Sequence, residues 1–146
     1  MQFRTQRGNL LTAVERKTGL MLATGLPRKT AEATAASLTG LLEGLPVAAR
    51  RSITCDNGSE FAEHKKLERD LGIPTFFCDP HSPWQRGSIE NANGLLRRDL
   101  PRKTELADYT EQDIQDIVWA NNATPRKRLG YLTPADAFLH QLRCCT

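Results

Sequence analysis

Between Asn9 and Leu26 two apolar stretches, one centred on Leu10-Leu11 and one on Leu20-Met21-Leu22, flank a polar Arg16-Lys17-Thr18-Gly19 segment. This pattern predicts a β-hairpin. Ahead of it, Gln2-Phe3-Arg4 is too short for a comfortable strand and runs into the polar Thr5-Gln6-Arg7-Gly8, so the chain is expected to start inside an element. Ala35, Leu38, Leu42 and Leu45 recur at helical spacing behind Thr30, a residue type that caps helices, and Gly44-Leu45-Pro46 stops the run. Ser52-Ile53-Thr54-Cys55 and Thr75-Phe76-Phe77-Cys78 are short β-prone runs. Between them Asp56-Asn57-Gly58 breaks the chain, and Ser59 is placed to cap a helix reaching about Leu71.

Further along, Ile89, Ala92, Leu96 and Leu100 form an apolar stripe on a helix that starts near Ser88 and ends before Pro101. Thr110 opens another helix with Ile114, Ile117 and Val118 on one face, and Thr133-Pro134 opens the last, with proline at its first position. The order is strand remnant, hairpin, helix, strand, helix, strand and three helices. It predicts an α/β fold, a small mixed sheet flanked by helices with its first strand incomplete. Residues 1–142 read as one domain and residues 143–146 as a tail.

Composition narrows the function classes. The 146 residues, 39% apolar and 25% charged, suffice for one domain with a modest core and leave little for a second. No long apolar run and no signal-peptide pattern occur, which points to a cytoplasmic protein. The cysteines at 55, 78, 144 and 145 lack zinc-finger spacing; Cys55 and Cys78 read as small buried residues, Cys144 and Cys145 as part of a frayed end. No phosphate-cradling glycine loop or His-Glu-x-x-His helix is present, so ATP and zinc hydrolysis lack support. The net charge of +3 is uneven: residues 56–79 and 104–125 are acidic, while residues 1–55, 80–103 and 126–146 are basic. Basic segments around an acidic centre suit a metal-using enzyme acting on a polyanion, although solvated surface charge gives the same pattern.

Two carboxylates stand out. Asp56 directly follows a predicted strand, where the sheet holds a side chain rigidly yet near solvent, and Glu90 lies in the first turn of a later helix. Metal-assisted phosphodiester chemistry needs such carboxylates to converge on divalent ions. Taken alone, each has a plainer role, Asp56 as a turn former and Glu90 as a complement to the helix dipole.

The sequence between and around them is more specific. Asp56-Asn57-Gly58-Ser59-Glu60-Phe61, then Ser82-Pro83-Trp84-Gln85-Arg86-Gly87-Ser88-Ile89-Glu90-Asn91-Ala92-Asn93-Gly94-Leu95-Leu96-Arg97, with 33 residues between Asp56 and Glu90, resembles the DDE transposases of bacterial insertion sequences, most closely insertion-sequence family 30. Pro125-Arg126-Lys127-Arg128-Leu129-Gly130-Tyr131 and Thr133-Pro134 are similar to that family's carboxyl-terminal signature, so the resemblance runs from about Leu10 to Phe138. It implies a ribonuclease H-like catalytic core with Asp56 and Glu90 as the second and third catalytic, metal-holding carboxylates. It also implies Mg²⁺ or Mn²⁺ as cofactor, DNA (transposon ends and target) as partner, and end cleavage followed by strand transfer. A homo-oligomer is left open, and such a protein is expected in the bacterial cytoplasm, at the nucleoid when bound to DNA.

The family's first carboxylate sits on the opening strand, ahead of the segment that appears here as Val14-Glu15-Arg16. No Asp or Glu precedes Glu15, so the chain as written is expected to be catalytically weakened. The alternative is a non-catalytic transposase remnant that binds DNA or pairs with full-length transposase. Asp79, in the loop before Pro80, is an unpromising replacement, and Glu15 reads as a surface or pairing residue.

For DNA contact the candidates are Gln85 and Arg86 before the Glu90 helix, Asn93 and Arg97 at i+3 and i+7 from Glu90, and the Arg126-Lys127-Arg128 cluster as a backbone clamp. For the arginines the plainer reading is a solvated helix surface. Trp84 reads as a loop anchor more than a base-stacking platform.

Overall fold

The computed structural model describes residues 9–26, 28, 30–55, 61–79, 87–100 and 106–145. Strands β1 (Asn9–Val14) and β2 (Met21–Leu26) form the antiparallel hairpin expected from the sequence. Helix α1 (Ala31–Glu43) follows, its first turn held by the Thr30 hydroxyl accepting from Ala33 N. Strand β3 (Ile53–Cys55), helix α2 (His64–Leu71) and strand β4 (Thr75–Phe77) make a β-α-β unit with parallel pairing of β3 and β4. Helices α3 (Gly87–Asp99), α4 (Glu111–Asn122) and α5 (Pro134–Cys145) complete the chain.

Three layers result, because β1 is apolar on both faces. Leu10 packs with Met21, Ala92, Leu96, Leu100, Ile114 and Val118, the core shared with α3 and α4. Leu11, one residue on and therefore pointing the other way, packs with Leu38, Leu42, Leu67 and Ile73, the core shared with α1 and α2. A strand buried on both faces reads as continuous apolar sequence, which is why Leu10-Leu11 are adjacent leucines.

Hydrogen bonding orients the strand edges. Glu15 N donates to Leu20 O at 2.8 Å, which sets the close pairs of the hairpin at the odd-numbered residues of β1. Met21, Ala23 and Gly25 consequently direct their backbone groups away from β1, and side chains of α4 take them. Asn122 Oδ1 accepts from Met21 N and its Nδ2 donates to Met21 O, both at 2.8 Å. Gln115 Nε2 donates to Ala23 O, and Glu111 Oε2 accepts from Gly25 N. The outer edge of the hairpin is thus closed by one face of a helix, which protects it from pairing with another chain.

Three expectations are corrected in detail. The sheet is in two halves, β1–β2 and β3–β4, with no strand among the described residues between them. Helix α2 begins at His64 rather than at Ser59, which lies outside the described residues, because Phe61 to Glu63 form a turn; its left-handed Gly72 supplies the expected stop. Helix α5 continues through Arg143 and Cys144 to Cys145, where a tail was expected. Cys55 and Cys78 are buried cysteines on adjoining segments, Cys78 N donating to Cys55 O. No helix among the described residues is long and apolar enough to cross a membrane.

Candidate active site and nucleic-acid surface

A cleft of about 550 Å³ separates the two half-sheets. It is lined by consecutive residues of β1, Leu10 to Glu15, and of the β3 segment, Ser52 to Cys55. Consecutive residues point alternately to opposite faces, so lining by both sets means that the cleft runs along strand edges and not over a face. The pairing pattern agrees, since Thr12 and Val14 direct their backbone groups away from β2, and Thr54 directs its groups away from β4. Leu38 and Leu42 of α1 close one side, and Glu90 and Asn93 of α3 lie on the cleft as well.

Glu90 is exposed in the first turn of α3, on a helix whose buried Ala92 and Leu96 seat it against the hairpin. Asn93, one turn on, accepts from the Thr12 hydroxyl through Oδ1 at 2.9 Å, which locks the helix register to β1. Asp56 lies outside the described residues, but Cys55, which ends β3 immediately before it, lines the same cleft as Glu90. The ladder therefore brings Cys55, the last described residue before Asp56, to the cleft.

Glu15 also lines the cleft, yet its carboxylate serves the hairpin turn. Oε1 accepts from Lys17 N, and Oε2 accepts from Thr18 N and the Thr18 hydroxyl. Partial burial pushes its pKa up, but the Thr18 hydroxyl, the Lys17 and Thr18 amides and the Lys17 charge outweigh that and hold it below its ordinary value. A carboxylate so occupied is a poor metal ligand. No group of three or more metal-ligating side chains converges among the described residues. The donor type on the described part of the cleft, the hard carboxylate oxygens of Glu90, suits an oxygen-preferring divalent ion better than zinc.

The remaining sequence-derived positions divide. Gln85 and Arg86 lie outside the described residues. Arg97 follows Glu90 by two turns on α3 but does not line the cleft; it is half-buried, and its Nε finds no partner among the described residues. Arg126 is half-buried and donates to Asn121 O, closing the loop after α4. Arg128 donates to Lys17 O in the hairpin turn at 3.2 Å, while Lys127 and Arg128 are exposed. Sequence reasoning missed Arg16 and Lys17 as companions of that cluster, and the polar Arg16-Lys17-Thr18-Gly19 turn was the only signal for them.

The fold and the cleft at its strand edges define an integrase-type catalytic core. The chain aligns with the catalytic core domain of BIV integrase at a TM-score of 0.74 and 25% sequence identity, covering 95% of this chain and 90% of that one. No family model matches the chain. It is 42% identical over 121 residues to the transposase for insertion sequence element IS1086 of Cupriavidus metallidurans, and 38% identical over 132 residues to transposase InsI for insertion sequence element IS30A of Escherichia coli. These matches cover 83% and 90% of the chain, and 36% and 34% of the relatives. The chain belongs with the insertion-sequence transposases of the IS30 type, as its motifs implied, and spans about a third of the length of the curated relatives it matches.

Proposed function

We propose that this chain carries the catalytic core of an insertion-sequence transposase, acting on DNA ends by divalent-metal-dependent cleavage and strand transfer. The observation that supports it best is the arrival of Glu90 and of Cys55, the residue before Asp56, at one cleft wall in an integrase-type fold. Asp56 and Glu90 would hold the metal, which supplies Lewis-acid stabilisation of the attacking and leaving oxygens of a phosphodiester. The protein's own part is positional. Strand β3 fixes the approach to Asp56, the Thr12–Asn93 bond fixes the helix under Glu90, and Arg86, Arg97, Arg126, Lys127 and Arg128, with Gln85 and Asn93, would hold the nucleic acid.

Calorimetric titration of the chain with Mn²⁺ tests the metal assignment. Weak binding that disappears in Glu90→Gln, together with loss of any metal-dependent cleavage of duplex DNA, is expected. Unchanged Mn²⁺ binding and cleavage in that variant would sink it.

A second reading, a non-catalytic chain that binds DNA or pairs with full-length transposase, is favoured by one observation. Glu15, which lines the cleft, is engaged by the hairpin turn, so its carboxylate is not available to join Asp56 and Glu90 at a metal. Cleavage of duplex DNA in the presence of Mn²⁺ separates the readings, since the first expects it and the second does not.

A further inference from the structure

The β1–β2 turn and the loop after α4 are interlocked. Arg128 lies across Gly19 so closely that a Cβ there would clash with its Nη2, and its Nη1 donates to Lys17 O. Gly19 allows this twice over, having no side chain and holding a left-handed φ of +76°. The contact brings together Arg16 and Lys17 of the turn and Lys127 and Arg128 of the loop, all four exposed. The nearby acid, Glu15, has both oxygens turned to Thr18 and the turn amides. Arg16 also lines the cleft that Glu90 lines, so the cationic strip starts at the candidate active site and leads away from it over the turn.

We infer that Arg16, Lys17, Lys127 and Arg128 form one composite phosphate-backbone surface, along which duplex DNA leaves the Glu90 cleft. The inference rests on the DNA reading above and adds the hairpin turn to it. Exposed cations on flexible stems are suited to phosphates and carry no base readout. Each phosphate neutralised releases condensed counter-ions, so the strip contributes to the salt dependence of binding at about 0.9 per contact.

The test is fluorescence anisotropy of a labelled duplex with the intact chain across a salt series. Lys17→Gln and Lys127→Gln are each expected to lower the slope of log affinity against log salt by about 0.9, and the double variant by about twice that. Lys17→Arg and Lys127→Arg should restore it. Both side chains are exposed, and circular dichroism with urea midpoints confirms that the variants fold alike. If the parent binds duplex and the double variant keeps the parental slope, the composite surface is overturned while the DNA reading stands. If the parent shows no salt-dependent binding to duplex, the DNA reading falls and this inference with it.

Discussion

Asn122 pairs with Met21 as a strand would, its side-chain amide accepting from the Met21 N–H and donating to the Met21 carbonyl across 101 positions of sequence. Asn122 is 5% exposed and Met21 2%, so water cannot replace either bond. Asn122→Leu should therefore cost about 2–4 kcal/mol, because it leaves two buried backbone groups unsatisfied at about 1–3 kcal/mol each, partly offset by the apolar side chain. Urea unfolding reads this directly. A cost under about 0.5 kcal/mol would mean that Met21 finds other partners.

That pairing also marks where the sequence stopped being informative. The hairpin that carries Leu10 and Leu11 and the stripe of Ala92, Leu96 and Leu100 were legible, because apolar patterning records which residues meet a core. The capping box at Thr110 and Asp113 likewise acts within one helix, and Thr110 was read as its opening residue. Glu111 and Gln115 gave no such signal. They look like solvent-facing helix residues, and their role at Gly25 and Ala23 depends on where β2 comes to lie. The place of Glu90 in the first turn of a helix was legible, whereas the union of Lys17 with Arg128 depends on a contact 111 positions apart that no local pattern records.

Asn93 distinguishes a structural from a DNA-contacting role on the Glu90 helix. Its Oδ1 is engaged by the Thr12 hydroxyl, a partly buried neutral hydrogen bond. Asn93→Ala is expected to lower stability by about 1 kcal/mol and to leave the salt slope of DNA binding unaltered, since no charge is removed. Unchanged stability would show that Thr12 is a minor partner and that nucleic-acid contact is the main role of Asn93.

Glu15 makes the hairpin acid-sensitive. Its folded-state pKa is depressed by the Thr18 and Lys17 hydrogen bonds against the opposing effect of burial, so folding favours the ionised form. The stability it contributes is fully present above the ordinary glutamate range and is lost as the pH falls through its lowered value. The loss should be about 1 kcal/mol, less than a buried charged hydrogen bond contributes, because the carboxylate is only half-buried and screened by solvent. Urea midpoints of parent and Glu15→Gln should diverge at neutral pH and converge on acidification below that range. A difference that stays constant with pH would show that the turn gains nothing from the charge.

Gly19 and Gly130 both hold left-handed φ values, +76° and +63°, but differ in their surroundings. A Cβ at Gly130 meets open space, so Gly130→Ala pays only backbone strain, about 1 kcal/mol. At Gly19 the same strain is joined by displacement of Arg128, which forfeits its bond to Lys17 O. Gly19→Ala should thus cost more than Gly130→Ala by about 0.5–1.5 kcal/mol, the worth of one hydrogen bond. In an Arg128→Ala background that excess should vanish, because the guanidinium is no longer there to be displaced, and the two substitutions will be non-additive. Full additivity would mean that the hairpin turn and the loop after α4 are energetically independent, and that their cations do not form one rigid surface.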